Sequence, residues 1–93
     1  MIKSFQDKQT EKISQGDRVK ALPPQIAKRA LMRLQRIDAA LTLDDLLGPP
    51  SHRLEALKGD LAGFYSIRIN EQWRVVFRFE SGQAFDVKIT DYH

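Results

Sequence analysis

Two prolines, Pro49 and Pro50, divide a half patterned for helix from a half patterned for sheet. Upstream, Ala27, Ala30, Leu31, Leu34, Ile37 and Leu41 recur at spacings of three and four, one apolar stripe on a helix that Pro23-Pro24 opens. Proline suits a first helical turn because it has no N–H to lose there. Downstream the period drops to two. Tyr65, Ile67 and Ile69 alternate with Ser66, Arg68 and Asn70. Trp73, Val75, Phe77 and Phe79 alternate with Arg74, Val76, Arg78 and Glu80. Phe85, Val87 and Ile89 alternate with Asp86, Lys88, Thr90 and Tyr92. Residues 70–72 and 81–83 are short enough for hairpin turns.

Weaker signals complete the order of elements. Residues 2–5 read as an edge strand. Asp7 is a good N-cap for a two-turn helix that Gly16 stops. Thr42, three residues before Asp45, is placed to cap a turn over residues 43–47, which residues 48–51 end. A short strand is expected over 53–58, before Gly59-Asp60. The prediction is an α+β fold, with two N-terminal helices packed on a small antiparallel β-sheet. At 93 residues neither half buries enough to fold alone, so residues 1–93 form a single domain.

The alternation also sorts charge. One sheet face is apolar and matches the stripe of the long helix. The other carries Arg68, Arg74, Arg78, Lys88 and Tyr92, with only Glu80 and Asp86 to offset the cations. Net charge is +3, and all of it lies upstream: residues 1–51 hold nine bases and six acids, residues 52–93 six of each. Residues 18–37 contain Arg18, Lys20, Lys28, Arg29, Arg33 and Arg36 and no acid, a basic segment that reads as a docking surface. Arg29, Arg33 and Arg36 are expected together on the solvent face of the helix.

Several chemistries are excluded or unsupported. Without cysteine there is no disulfide, thiolate metal site or cysteine nucleophile. The five glycines are scattered singly, so no phosphate loop is present. Two histidines supply no His-rich metal site, and no metal or other cofactor is expected. No apolar run approaches the ~20 residues of a membrane span, and the first residues lack a signal-peptide core, so a cytoplasmic protein is expected. What remains is a cationic groove ending in a phenol and an imidazole. That set suits RNA phosphodiester chemistry: arginine offers paired donors to phosphate, and histidine, near pKa 6.5, moves protons. Periodicity alone stops at a small basic α+β domain with an RNA-binding face.

Ordered pieces of the sequence carry more. Leu54-Glu55-Ala56-Leu57-Lys58-Gly59-Asp60, then Gly63-Phe64-Tyr65-Ser66-Ile67-Arg68-Ile69, then Asn70-Glu71-Gln72-Trp73-Arg74-Val75-Val76-Phe77, and a terminal Asp91-Tyr92-His93 resemble the RelE superfamily, specifically its HigB-type toxins. Met1-Ile2-Lys3-Ser4-Phe5 also resembles the family's start, so the likeness spans essentially the whole chain.

The resemblance implies a toxin of a type II toxin–antitoxin system that enters the ribosomal A site. There it would cleave mRNA without metal, leaving 2′,3′-cyclic phosphate or 3′-phosphate ends. It implies mRNA and the ribosome as partners, and a cognate helix-turn-helix antitoxin of the HigA type. Operator DNA is contacted only through the antitoxin complex, and no membrane is involved. By position it assigns Lys58, Arg74, Asp91, Tyr92 and His93 to catalysis. Arg68, Arg78, Lys88 and Glu55 are expected to bind substrate. Glu55 departs from the pattern, because some relatives carry histidine there; His52 is three residues away, but the strand pattern does not place it on the face. Two other readings are a non-catalytic RNA-binding or regulatory module using the same face, and a ParE-like toxin directed at gyrase.

Overall fold

The computed structural model describes residues 1–48 and 52–91. Three helices precede four strands: α1 (Lys8–Ser14), α2 (Pro24–Ala39), α3 (Asp44–Leu47), β1 (Glu55–Ala56), β2 (Phe64–Arg68), β3 (Trp73–Glu80) and β4 (Gln83–Asp91). The strands form one antiparallel sheet in the order β1-β2-β3-β4. The helices are mostly N-terminal to the sheet, so the expected α+β architecture holds. The expectations for Pro49, Pro50, Ser51, Tyr92 and His93 fall outside the described residues.

Helix α1 begins as its sequence dictates: the Asp7 carboxylate accepts from the Thr10 N–H at 2.8 Å. Helix α2 has proline in its first turn and buries Ala30, Leu34 and Ile37, the centre of the predicted stripe. The stripe stops earlier than the spacing suggests. Ala40 turns to an extended conformation and is buried as the C-cap, so Leu41 leaves the helix and is 76% exposed. The cap expected from Thr42 runs the other way: the Asp45 carboxylate accepts from the N–H groups of Leu41 and Thr42 at 2.9 and 3.1 Å. A carboxylate accepting two amides is stabilised in its charged form, and these bonds hold the Asp45 pKa below its ordinary value.

The core lies between the helices and one face of the sheet. Ile67, Ile69, Val75, Phe77, Ala84, Val87 and Ile89 meet Ile13, Leu34 and Ile37 there, and Trp73 and Phe79 pack against this set. β1 is shorter than the predicted 53–58 strand, with only Glu55 and Ala56 paired to β2.

Residues 2–5 do lie at the sheet edge, but as two isolated parallel bridges, Ile2 with Ala84 and Phe5 with Val87. Beside them β4 carries a bulge. Val76 stands opposite Lys88 while Arg78 stands opposite Phe85, so β4 has one residue more than β3 over that span. Asp86 takes φ +54°, a left-handed conformation that aspartate tolerates better than most residues. Its N–H bonds the Ser4 hydroxyl at 2.8 Å. Further along β4, the Ile89 N–H donates to the buried Thr10 hydroxyl at 2.9 Å, so the outer edge of this strand is covered by residues 1–6 and then by α1.

At the tip of the β3–β4 hairpin Ser81 and Gly82 both have positive φ, the geometry whose twist suits a two-residue loop. A side chain on Gly82 would stand 3.2 Å from the Leu41 carbonyl oxygen, so the segment leaving α2 requires glycine at this tip.

Candidate nucleic-acid interface

Register sets the composition of the second sheet face. Glu55, Ser66, Val76 and Lys88 stand opposite one another in one row across all four strands. Arg68, Arg74 and Thr90 form the adjoining row on one side, and Phe64, Arg78 and Phe85 the row on the other. The face therefore gathers Arg68, Arg74, Arg78 and Lys88, as the alternation predicted, and with them Glu55, which the alternation did not place there.

It also gathers Phe85, which strict alternation assigns to the core. The extra residue at Asp86 reverses parity in β4, so Ala84 takes the fully buried place opposite Phe79 and Phe85 turns out beside Arg78. Nothing in residues 83–91 marks this beforehand; aspartate within a strand is a weak hint at most.

Arg74 is the most buried of the three arginines on the face. Its Nη1 donates to the Ser66 hydroxyl at 3.1 Å, and its Nη2 lies 3.7 Å from a Glu55 carboxylate oxygen. The side chain of Arg74 is only 11% exposed, whereas that of Glu55 is 51% exposed. Ser66 is buried, and its small side chain leaves room for the guanidinium to lean along the strand. The alternation pattern puts Ser66 on this face without revealing that contact. A polar residue two positions before Arg68, on the same strand face, was the available signal.

The other cations differ in how far their charge is compensated. Arg78 donates from Nε to Asp86 at 3.0 Å, reaches Glu80 at 3.5 Å, and lies over the Phe85 ring at 5.2 Å. Arg68 meets the exposed Glu71 at 4.0 Å. Glu80 and Asp86 thus both act on Arg78, and Glu55 and Glu71 are two offsetting acids that the alternation pattern did not count. Lys58 is exposed, beyond the end of β1 at the start of a 3₁₀ turn over Gly59–Leu61. Asp91 stands opposite Trp73, one residue out of phase with the Arg74 row, and accepts from the Gln72 side chain at 3.1 Å.

Arg33, which the sequence left elsewhere, supports the edge of this sheet. β1 pairs with Ser66 and Tyr65, so among the described residues the far end of β2 has no strand neighbour on that side. There the Arg33 Nε donates to the Arg68 carbonyl at 2.9 Å. Arg33 is accordingly half-buried rather than on the solvent face with Arg29 and Arg36. Burial first, then the charges of Arg29 and Arg36, lower its pKa.

His52 is also buried, its Nδ1 3.3 Å from the Leu46 carbonyl oxygen; it does not join Glu55 on the sheet face. Desolvation, followed by the positive charge of Arg33, lowers its pKa and favours the neutral ring. That hydrogen bond requires the proton on Nδ1.

Among the described residues, no group of three or more histidines and carboxylates is placed to hold a metal ion. No helix among them is long and apolar enough to cross a membrane. The arrangement can bind an anionic polymer across the sheet and stabilise negative charge at one fixed guanidinium.

Residues 3–93 match the family described as the RelE-like toxin of type II toxin–antitoxin system HigB. The chain is similar to a protein of Proteus vulgaris named Endoribonuclease HigB, with 36% identity over 93 residues and full coverage of both chains. It is similar to Toxin HigB-1 of Vibrio cholerae, with 39% identity over 87 residues and 92% of each chain covered. Among solved structures, YoeB in the YoeB–YefM toxin–antitoxin complex of Staphylococcus aureus superimposes with a TM-score of 0.63, covering 100% of this chain and 98% of that one at 22% identity. Escherichia coli YafQ gives 0.60, covering 98% and 91% at 16% identity. At such identities the two structures speak for the fold alone.

Proposed function

The chain belongs to the RelE-like HigB toxins of type II toxin–antitoxin systems, and on that premise we propose that its cationic sheet face cleaves mRNA in the ribosomal A site. Endoribonuclease activity and an antitoxin partner follow from the family and from the name of its Proteus vulgaris relative. Dependence on the ribosome, the cytoplasm as the place of action and a HigA-type helix-turn-helix antitoxin are part of the proposal.

The observation that carries the reading is the Arg74 guanidinium, held by Ser66 and Glu55 on a face that also presents Arg68 and Lys88. The 2′-hydroxyl of one nucleotide attacks the adjoining phosphorus. Its proton passes to a base, the 5′-oxygen takes a proton as the P–O5′ bond breaks, and a 2′,3′-cyclic phosphate remains. Charge builds on the non-bridging oxygens, where a fixed, poorly solvated guanidinium contributes about 3 kcal/mol to lowering the barrier. Arg74 takes that role, assisted by Lys58. Arg68 and Lys88 hold flanking phosphates, and Glu55 keeps the Arg74 fork turned to the face. Tyr92 and His93 act as the acid–base pair, and Asp91 orients a neighbour. Every proton in this scheme is moved by a side chain, so it calls for no metal.

The test is to map mRNA 5′ ends after adding the protein to translating ribosomes, with Arg74→Ala beside the wild type. Codon-positioned new ends from the wild type, lost in a folded Arg74→Ala, are expected. Inhibition of translation without new ends would leave a binding module instead, and full cleavage by Arg74→Ala would overturn the assignment of Arg74.

A further inference from the structure

The row Phe64–Arg78–Phe85 is not used by the scheme above, and its chemistry differs from that of its neighbours. We propose that these three side chains form a stacking shelf for one base of the RNA strand, beside the guanidinium that faces the scissile phosphate. The proposal rests on the endoribonuclease reading and adds to it the place where a base is held.

Three observations support the shelf. The first is position. Phe64, Arg78 and Phe85 stand opposite one another on three neighbouring strands, and Phe64 and Phe85 are half-buried and lie outside the set of hydrophobic side chains packed on the core. Two partly open aromatic rings flank a guanidinium on the sheet face already assigned to RNA.

The second is charge. Arg78 has Asp86 at 3.0 Å and Glu80 at 3.5 Å, two carboxylates against one cation, so this row does not attract phosphate. The same contacts hold the guanidinium over the Phe85 ring at 5.2 Å. A planar cation fixed on one side by an aromatic ring offers its other side to a π-face, and a nucleobase supplies one.

The third is distance. Arg74 reaches Ser66, so its head lies toward the Ser66–Val76 row, and the shelf is the next row along the strands. Two residues of strand span roughly 6.6 Å. An extended RNA strand spaces successive nucleotides comparably, so a phosphate at Arg74 brings a neighbouring base to Arg78. The bulge at Asp86 makes this possible, because without the extra residue Phe85 would face the core.

The test uses the full chain on ribosomes programmed with an mRNA that carries 2′-deoxyribose at the cut position and 5-iodouridine at each A-site codon position in turn. Irradiation joins the base to an aromatic ring against it, and mass spectrometry identifies the modified residue. Adducts on Phe64 or Phe85 are expected; adducts only elsewhere, or none, would overturn the shelf. Cleavage of the all-ribose mRNA is measured in parallel. If the wild type forms shelf adducts but never cuts, the endoribonuclease reading fails and the shelf stands. If it cuts without shelf adducts, the reverse holds. Phe85→Leu and Phe64→Leu keep apolar bulk and remove the ring, and each should slow cleavage at the A-site codon about tenfold with its fold intact by circular dichroism. Unchanged rates in both folded variants would count against the shelf as well.

Discussion

The Ser66 hydroxyl accepts a hydrogen bond from Arg74 Nη1 at 3.1 Å, across two strands and one row along the sheet. Ser66 is buried and Arg74 nearly so, so the contact fixes a guanidinium that would otherwise sample many rotamers. Ser66→Ala should slow mRNA cleavage about tenfold, with a stability loss of about 1 kcal/mol from the lost hydrogen bond. Cleavage rates on programmed ribosomes and a denaturant melt check both. A wild-type rate in Ser66→Ala would show that Arg74 is positioned without its neighbour.

Arg33 closes the open end of β2 by donating to the Arg68 carbonyl. Arg33→Met keeps the stem and removes the donor, leaving that carbonyl without its side-chain partner. The expected cost is about 1–2 kcal/mol, a fall in melting temperature of about 4–8 °C for each kcal/mol in a domain of this size. Calorimetry of the two proteins measures it. An unchanged melting temperature would mean that water replaces the guanidinium at no cost.

His52 makes stability depend on pH. Its folded-state pKa lies below the ordinary 6.5, first through desolvation and then through the charge of Arg33. The unfolded chain therefore binds the proton more readily. The stabilisation is complete above about pH 6.5 and is lost as pH falls through the lower, folded value. Melting temperatures between about pH 8 and pH 5 should decline on the acid side in the wild type and flatten in His52→Gln. Asp45, whose pKa is also lowered, loses its contribution only below its ordinary 3.8, so the two windows separate.

Asp86 holds the bulge with a positive φ and ties Arg78 with its carboxylate. Asp86→Asn preserves the conformation and a hydrogen-bond acceptor, and should melt within about 0.5 kcal/mol of the wild type. Asp86→Val places a β-branched side chain at that φ and should cost about 1–3 kcal/mol. Chemical denaturation of both variants separates backbone strain from the lost ion pair. Equal losses would put the weight on the ion pair.

The large features were legible because each rests on one repeating signal. The Pro24 helix showed in its three-four spacing, the strands in their alternation, and the cationic face in the residues between the apolar ones. Arg74, Arg68, Lys88 and Glu55 reached that face because register follows from pairing adjacent hairpins in order. The misread features depend on where the chain interrupts its own pattern. Leu41 continues the stripe by count but falls beyond the last turn, and Phe85 has core parity until Asp86 adds a residue. Arg33 shares helical phase with two exposed arginines, yet the short β1 leaves it a carbonyl to reach. No periodicity contains a missing neighbour strand.

The bulge divides the β3–β4 hairpin into two stretches that answer to different constraints. On the α1 side of Asp86, residues 87–91 share their spacing with the Arg74 row; on the tip side, residues 83–85 follow the opposite parity. Variation at the tip can reshape what lies beside Arg78 without disturbing the stretch that aligns Arg74. A single extra residue thereby splits one ribbon into two stretches, so a substitution at 83–85 is felt beside Arg78 and one at 87–91 beside Arg74.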